Sequence, residues 1–496
     1  MNKTNKRLII VSNRLPILCH QTEQGEWKVE PSSGGLVTAL DPVFKNRGGM
    51  WIGWPGTVDA HPAELEAPLK AAQGLGYRFI PVSLTKEERD NFYLGFSNEI
   101  IWPLFHDLQS RCRFEPAFFR AYEAVNKKFT WVLTEHLHED DLVWVQDYHL
   151  MGLAKELKAA GVKNKTAFFL HIPFPTLDIF LKLPWRSDIL HSLLEFDVLG
   201  FQTVRDVRNF MHCVKMLMGK TIEQRESTAP NVHRLHLSDR EVSIGSFPVS
   251  IDYQAFAQGA ASPKVAELAK TLREDLPRRQ LIIGVDRLDY TKGIPFKLRA
   301  FETALQKYPE LLQNITMIQN VVPSREDIHE YQDLKIQIEQ MVGEINGRYT
   351  QAGWIPIHYH FHSSERDEIL AYYRMSGIAM VTPLKDGMNL VAKEYCAANI
   401  SEDGVLILSE FAGAAAELQK GALLVNPYDI EGMAEAIHRA YHMEPKEKRR
   451  RMKKLRKQIK KNNIFKWADS FLKAAIAEDL SAFPESQEFL HSMNIA

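Results

Sequence analysis

Two segments of the sequence carry side chains suited to a polyphosphate. In DRLDYTKG, Arg287 and Lys292 stand just beyond the apolar run Leu281–Val285, and Gly293 eases the turn that follows. An arginine fork makes bidentate contacts and a lysine supplies a mobile point charge, so together they could hold a diphosphate as it leaves. The competing reading is a surface ion pair with Asp286 or Asp289. In VTPLKDGMNLVAKEY, Asp386, Gly387 and Asn389 form the turn into a helix. Gly387 permits close approach of a ligand, and N–H groups of Met388, Asn389, Leu390 and Val391 would face an anion from the positive end of that helix. Glu394, about one turn further on, is placed to accept two ribose hydroxyls, as the acidic residue of many nucleotide sites does. The competing reading there is an ordinary capped helix with Glu394 in solvent.

The first half of the chain offers a different set. WVQDYHLM puts Asp147 and His149 at a strand end, and FFLHIPFPT does the same for His171, where Pro173 and Pro175 stop the strand from continuing. A lone histidine after an apolar strand is more often a core or loop residue than a reacting one. Nearer the N-terminus come Arg14, the SSGGL turn with Gly34 and Gly35, WIGWPG with Trp51 and Trp54, and NFYLGFSNEIIWPLFH with Tyr93 and Trp102. A phosphorylated sugar packs its C–H faces on rings and needs charge-assisted bonds to its phosphate. Aromatic residues in this number are also plain core material.

These residues need strand ends and helix starts to hold them. Short apolar, β-branched runs occur at Leu8–Val11, Leu142–Val145, Ala167–His171, Val198–Phe201, Leu281–Val285, Ile315–Ile318, Ile378–Val381 and Val405–Leu408, with amphipathic helical stretches between most of them. Strands alternating with helices predict an α/β protein built on parallel sheets covered on both faces. The polar segment Gly219–Glu241 and the break at SFPVSID place a domain boundary near Phe247–Asp252, with a cleft expected between two doubly wound halves. Lys446–Lys461 holds eleven Lys or Arg, but Met452, Leu455 and Ile459 recur at helical spacing, so a solvated helix with one apolar stripe accounts for it.

Composition sets the outer limits. A chain of 496 residues with 45% apolar residues is two or three domains with sizeable cores. With 61 basic and 62 acidic residues, the formal net charge of -1 removes the broad attraction behind nucleic-acid or acidic-membrane binding. Cys19, Cys112, Cys213 and Cys396 are scattered without metal-ligand spacing and read as thiols in a reducing compartment. The N-terminal apolar stretch stops at Ser12, too early for a signal peptide, and nothing is long enough to span a membrane. A cytoplasmic protein is expected.

Together, VSNRLP, SSGGL, WIGWPG, FSNEIIWPLFH, WVQDYHL, FFLHIPFP, DRLDYTKG, VPSRED and TPLKDGMNLVAKEY resemble the trehalose-6-phosphate synthase family of retaining glycosyltransferases, in family order from Val11 to Tyr395. The likeness continues through LILSEFAGAAAEL. It implies a GT-B fold, two Rossmann-like doubly wound domains facing across a cleft: 1–248 for the acceptor, 249–475 for the nucleotide sugar, and a tail, 476–496, packing back on the first. It also implies transfer of glucose from UDP-glucose, or another nucleoside diphosphate glucose, to glucose 6-phosphate with retention, giving α,α-trehalose 6-phosphate.

Carried over position by position, Arg287 and Lys292 would bind the donor diphosphate, Gly35 would sit close to it, and Asp386 with the backbone of Gly387 to Val391 would hold donor glucose and phosphate. Glu394 would take the ribose. His171 would contact the donor sugar, and Asp147 the acceptor hydroxyls. Arg14, Tyr93 and Arg325 would receive the acceptor phosphate, with Trp54 and Trp102 shaping its pocket. No DxD triplet occurs, so a transfer without metal or cofactor is expected. The resemblance implies front-face internal return, in which the leaving phosphate helps deprotonate the acceptor and no carboxylate nucleophile is needed. Gln146 stands where some members have His. No DxDx phosphatase motif is found and the chain ends soon after Lys461, so the product is expected to keep its phosphate. The alternatives are a glycerol 3-phosphate acceptor, against which VSNRLP and WIGWPG speak, and an idle regulatory subunit, against which the filled site positions speak. A homo-oligomer is compatible with either.

Overall fold

The structure, a computed structural model, describes residues 7–477 apart from 23, 25, 32–48, 72–77, 220–222, 227–231, 238–239, 275, 277–278 and 326–327. The chain divides into two compact units, one running to Val249 and resuming at Ile464, the other spanning Ser250–Asn463.

The first unit is built on β1 (Leu8–Arg14), a hairpin of β2 (Ile17–Gln21) and β3 (Trp27–Pro31), then β4 (Met50–Trp54), β5 (Arg78–Pro81), β6 (Leu142–Gln146), β7 (Thr166–Phe169), β8 (Val198–Phe201), β9 (Glu223–Glu226), β10 (Val232–His236) and β11 (Glu241–Ser246). Its main sheet runs β5-β4-β1-β6-β7-β8-β11-β10-β9, parallel through β11 and antiparallel at the β10–β9 edge. The apolar runs become strands because they are buried on both faces, which only a parallel sheet sheathed by helices provides.

The second unit has β12 (Gln280–Arg287), β13 (Ile315–Val322), β14 (Ile357–Phe361), β15 (Ile378–Val381), β16 (Val405–Ser409) and β17 (Leu423–Val425), all parallel in the order β14-β13-β12-β15-β16-β17. Ranked along the chain, the six strands of this sheet and the first six of the other both read 3-2-1-4-5-6, the doubly wound dinucleotide-binding order.

Each apolar run named from the sequence lies in a strand of this set, though β7 ends at Phe169, leaving His171 in the loop beyond it. The 219–241 stretch, unassigned from sequence, supplies β9 and β10, with β9 the last strand of the sheet. Lys446–Lys461 lies in the helix Pro445–Lys461 with Met452, Leu455 and Ile459 buried. One assignment is corrected: the helix Ile464–Ala477, placed by sequence in the second domain, belongs to the first unit, since Phe471 stacks on Trp144 at 4.7 Å and Trp467 Nε1 donates to Phe247 O. The tail 478–496 lies outside the described residues. Among the described residues no helix is long and apolar enough to cross a membrane.

Candidate active site

In the six doubly wound strands of each sheet the order reverses at one point, between β1 and β6 in the first and between β12 and β15 in the second. Ligands of doubly wound sheets bind beyond the carboxyl ends of strands at such a point. Arg14 closes β1, Asp147 follows β6, Arg287 closes β12 and Asp386 lies in the loop after β15, so the residues singled out for their chemistry sit at those ends.

In the second unit, Lys292 Nζ donates to Asp386 Oδ2 at 2.5 Å, and Asn389 Nδ2 donates to the same oxygen at 3.1 Å. The ion pairs weighed from sequence are not the ones formed by Lys292. Asp286 is taken by the buried Lys297 at 2.5 Å and by Gln319, and Asp289 accepts from Thr291 and faces Arg325 at 3.6 Å. Burial opposes the charge on Asp289, but Arg325, Lys292 and Arg287 outweigh it and hold the carboxyl below its ordinary range. Arg325 also donates to Tyr331 Oη at 2.6 Å. Arg287 itself is exposed at the strand end.

Asn389, at φ 71°, starts the helix Leu390–Ala398. Gly413 presses on this turn so closely that a Cβ would stand 1.8 Å from Gly387 O, while Gly413 N and Ala414 N donate to Asp386 O and Met388 O. Met388 is buried; Leu390 and Val391 are half-buried in the first turn. Glu394 is not in solvent: its Oε2 accepts from Tyr373 Oη at 3.2 Å, and burial pushes its carboxyl up to about 7 against the opposing pull of Tyr373 and Arg366.

In the first unit, the Arg14 guanidinium lies 3.9 Å over the Trp54 ring and 5.5 Å from that of Tyr93, and burial weakens its hold on its proton. Gly56 makes room, since a Cβ there would meet Arg14 Nη1 at 2.5 Å. Tyr93 belongs to the π-type helix Arg89–Ile101 and leads by ring contacts through His149 and Tyr148 to Trp102. Trp102 therefore joins the cluster through Tyr148.

Asp147, at φ 71°, accepts from His171 N at 3.1 Å and donates its own N–H to Phe169 O, lacing the ends of β6 and β7 together. His171 Nε2 lies 2.9 Å from Gln146 Oε1, and burial pushes the imidazole down to about 3, so the ring is neutral at ordinary pH. Gln146 Oε1 accepts only, which places the imidazole hydrogen on Nε2 and leaves Nδ1 an acceptor. Gly35 lies outside the described residues. Sequence reasoning gave no role to Gln146, His149, Gly56 or Gly413; only the small-residue run FAGAAAEL hinted at the last.

Two such sheets, one presenting an arginine over aromatic rings and the other paired cations, a carboxylate and a helix start, define a glycosyltransferase of the GT-B type. The chain belongs to glycosyltransferase family 20, whose model matches residues 6–477. It is 41% identical to the UDP-forming alpha,alpha-trehalose-phosphate synthase A of Dictyostelium discoideum over 94% of this chain, and spans 62% of that protein's length. It is 38% identical to the trehalose-6-phosphate synthase of Mycobacterium leprae, over 94% of both. Among solved structures, the Burkholderia xenovorans alpha,alpha-trehalose-phosphate synthase in complex with glucose-6-phosphate matches with a TM-score of 0.84 at 36% identity, covering 95% of this chain and 100% of that one. An Escherichia coli structure bound with UDP-2-fluoro glucose matches at 0.85 and 36%, covering 95% and 99%.

Proposed function

We propose that this chain transfers glucose from UDP-glucose to glucose 6-phosphate with retention, releasing UDP and α,α-trehalose 6-phosphate. The observation that carries the reading is the Lys292–Asp386–Asn389 cluster at the start of the helix Leu390–Ala398, with Arg287 on the neighbouring strand end. A departing nucleoside diphosphate gathers negative charge, and preorganised cations with a helix N-terminus stabilise that charge more than they stabilise the bound donor. Asp386 and the backbone from Gly387 to Val391 hold the donor glucose and phosphate. Glu394, once ionised, accepts the ribose hydroxyls.

On the acceptor side, Arg14 and Tyr93 take the sugar phosphate, Trp54 and Trp102 shape the pocket, and Asp147 accepts from acceptor hydroxyls. His171, neutral and fixed by Gln146, offers Nδ1 to a donor-sugar hydroxyl. With burial pushing it down to about 3, the imidazole is a poor base for the acceptor hydroxyl, which fits a reaction in which the leaving phosphate oxygen takes that proton. Product from UDP-glucose and glucose 6-phosphate, read by proton NMR, is expected to show two α-anomeric signals and a retained 6-phosphate. A β-linked product, or turnover with glycerol 3-phosphate alone, contradicts the reading.

A further inference from the structure

The helix Ile430–Tyr441 bears His438 in its last turn and ends on His442, one helical turn apart and therefore on one side. Across from them the turn Pro309–Leu311 presents Glu310. Glu310 Oε1 lies 2.9 Å from His438 Nε2 and 3.6 Å from His442 Nε2. The ligating atoms of all three lie within 4.8 Å of one another, and this is the group of its kind among the described residues. We propose that Glu310, His438 and His442 form a site for a divalent transition-metal ion, Zn2+ foremost, separate from the residues of glucose transfer.

Two imidazoles and a carboxylate are a zinc ligand set, with the fourth position left to water. At metal–ligand distances of roughly 2.0–2.2 Å a tetrahedral site spaces its donor atoms about 3.3–3.5 Å apart, so small side-chain rotations complete it. Both imidazoles direct Nε2 at a single carboxylate oxygen, an arrangement that two unrelated surface ion pairs do not require. Tyr308 stacks on His438 at 3.9 Å and 17°, fixing the ring. The C-terminal end of the helix carries negative partial charge, which favours a cation there. Lys307, at the end of the preceding helix, is engaged by Glu431 and Glu435.

The helix Ile294–Lys307 separates this cluster from the donor residues: it starts next to Lys292 and ends just before Glu310. Its 14 residues put the two about 20 Å apart along the axis. The ion would act as a clip between the Pro309–Leu311 turn and the helix Ile430–Tyr441, with no part in transfer.

The test is calorimetric titration of the full chain, stripped with EDTA and desalted, with ZnCl2, together with the visible spectrum on adding Co2+. One Zn2+ per chain is expected in the micromolar range, with a higher melting temperature and Co2+ bands of a low-coordinate site. His438→Ala, His442→Ala and Glu310→Gln each weaken binding by about tenfold or more while transfer activity stays unchanged. These changes leave intact the buried face of Met433, Ala434, Ala436, Ile437 and Ala440, and a circular dichroism spectrum checks that the variants fold. Stoichiometric uptake that survives in the double variant His438→Ala/His442→Ala overturns the proposal, as does failure of the wild-type chain to take up Zn2+ at micromolar concentration.

Discussion

A lysine whose ammonium shares one carboxylate oxygen with an asparagine amide is oriented before any substrate arrives, and Lys292 is such a residue. Lys292→Ala and Arg287→Ala are each expected to lower kcat/KM by about 10²–10³, the effect of losing one preorganised group at a developing charge. Steady-state kinetics on both substrates measure it. Two titratable groups make opposite pH predictions. Glu394 has a folded pKa of about 7 against an ordinary 4.5, so between those values the native state holds a proton that the unfolded chain has lost. Its stability contribution is full below 4.5 and is lost as pH rises to about 7. Glu394→Gln therefore removes a downward slope of melting temperature across that range. On the proposed role of Glu394 as an ionised acceptor of the ribose hydroxyls, the donor KM should also rise as pH falls below about 7, a dependence that Glu394→Gln abolishes. His171, pushed from 6.5 to about 3, contributes stability present above 6.5 and lost as pH falls towards 3. His171→Gln should flatten that acid slope, and no limb of the activity profile near pH 6.5 should belong to this imidazole.

At the level of elements, the donor turn is held by a neighbour as well as by its own sequence. Gly413 lies where a Cβ would meet Gly387 O at 1.8 Å. Gly413→Ala must displace the Asp386–Asn389 turn and is expected to destabilise by about 1–3 kcal/mol while raising the donor KM. An unchanged KM would show that the turn tolerates the shift. This contact also marks the limit of what could be read from residues alone. The central strands were legible because two-sided burial leaves continuous apolar runs such as Ile378–Val381. β14, with its alternating histidines, was not, since an edge strand need bury only part of its surface, and neither was β10, a strand of mixed polarity in the antiparallel end of the sheet. That Arg287 and Lys292 follow a strand end and that Asp386 and Glu394 flank a helix start was legible because each group follows an apolar run that ends in a glycine-containing turn. Gln146 against His171, Gly413 against Gly387, and the π-type helix that carries Tyr93 depend on contacts between segments far apart in sequence, which no local spacing encodes.

Across the whole molecule, the chain leaves its first sheet at Val249 and contributes to that unit again from Ile464. Gly200 leaves the space that Phe471 fills beside Trp144 and Phe169. Phe471→Ala should cost the first unit about 3–5 kcal/mol, the range for emptying a buried aromatic position. Thermal unfolding followed by near-ultraviolet circular dichroism reports it, and an unchanged melting curve would mean the helix Ile464–Ala477 is not part of that unit's core. The second sheet presents Lys292 paired with Asp386 and the buried Glu394, and the first presents Arg14 over Trp54 and Tyr93. The most direct measurement is UDP release from UDP-glucose with EDTA present, offering glucose 6-phosphate and glycerol 3-phosphate in parallel. Release that depends on glucose 6-phosphate and is lost in Arg287→Ala and Lys292→Ala is the predicted result. Release with glycerol 3-phosphate alone, or undiminished release in both variants, contradicts the account.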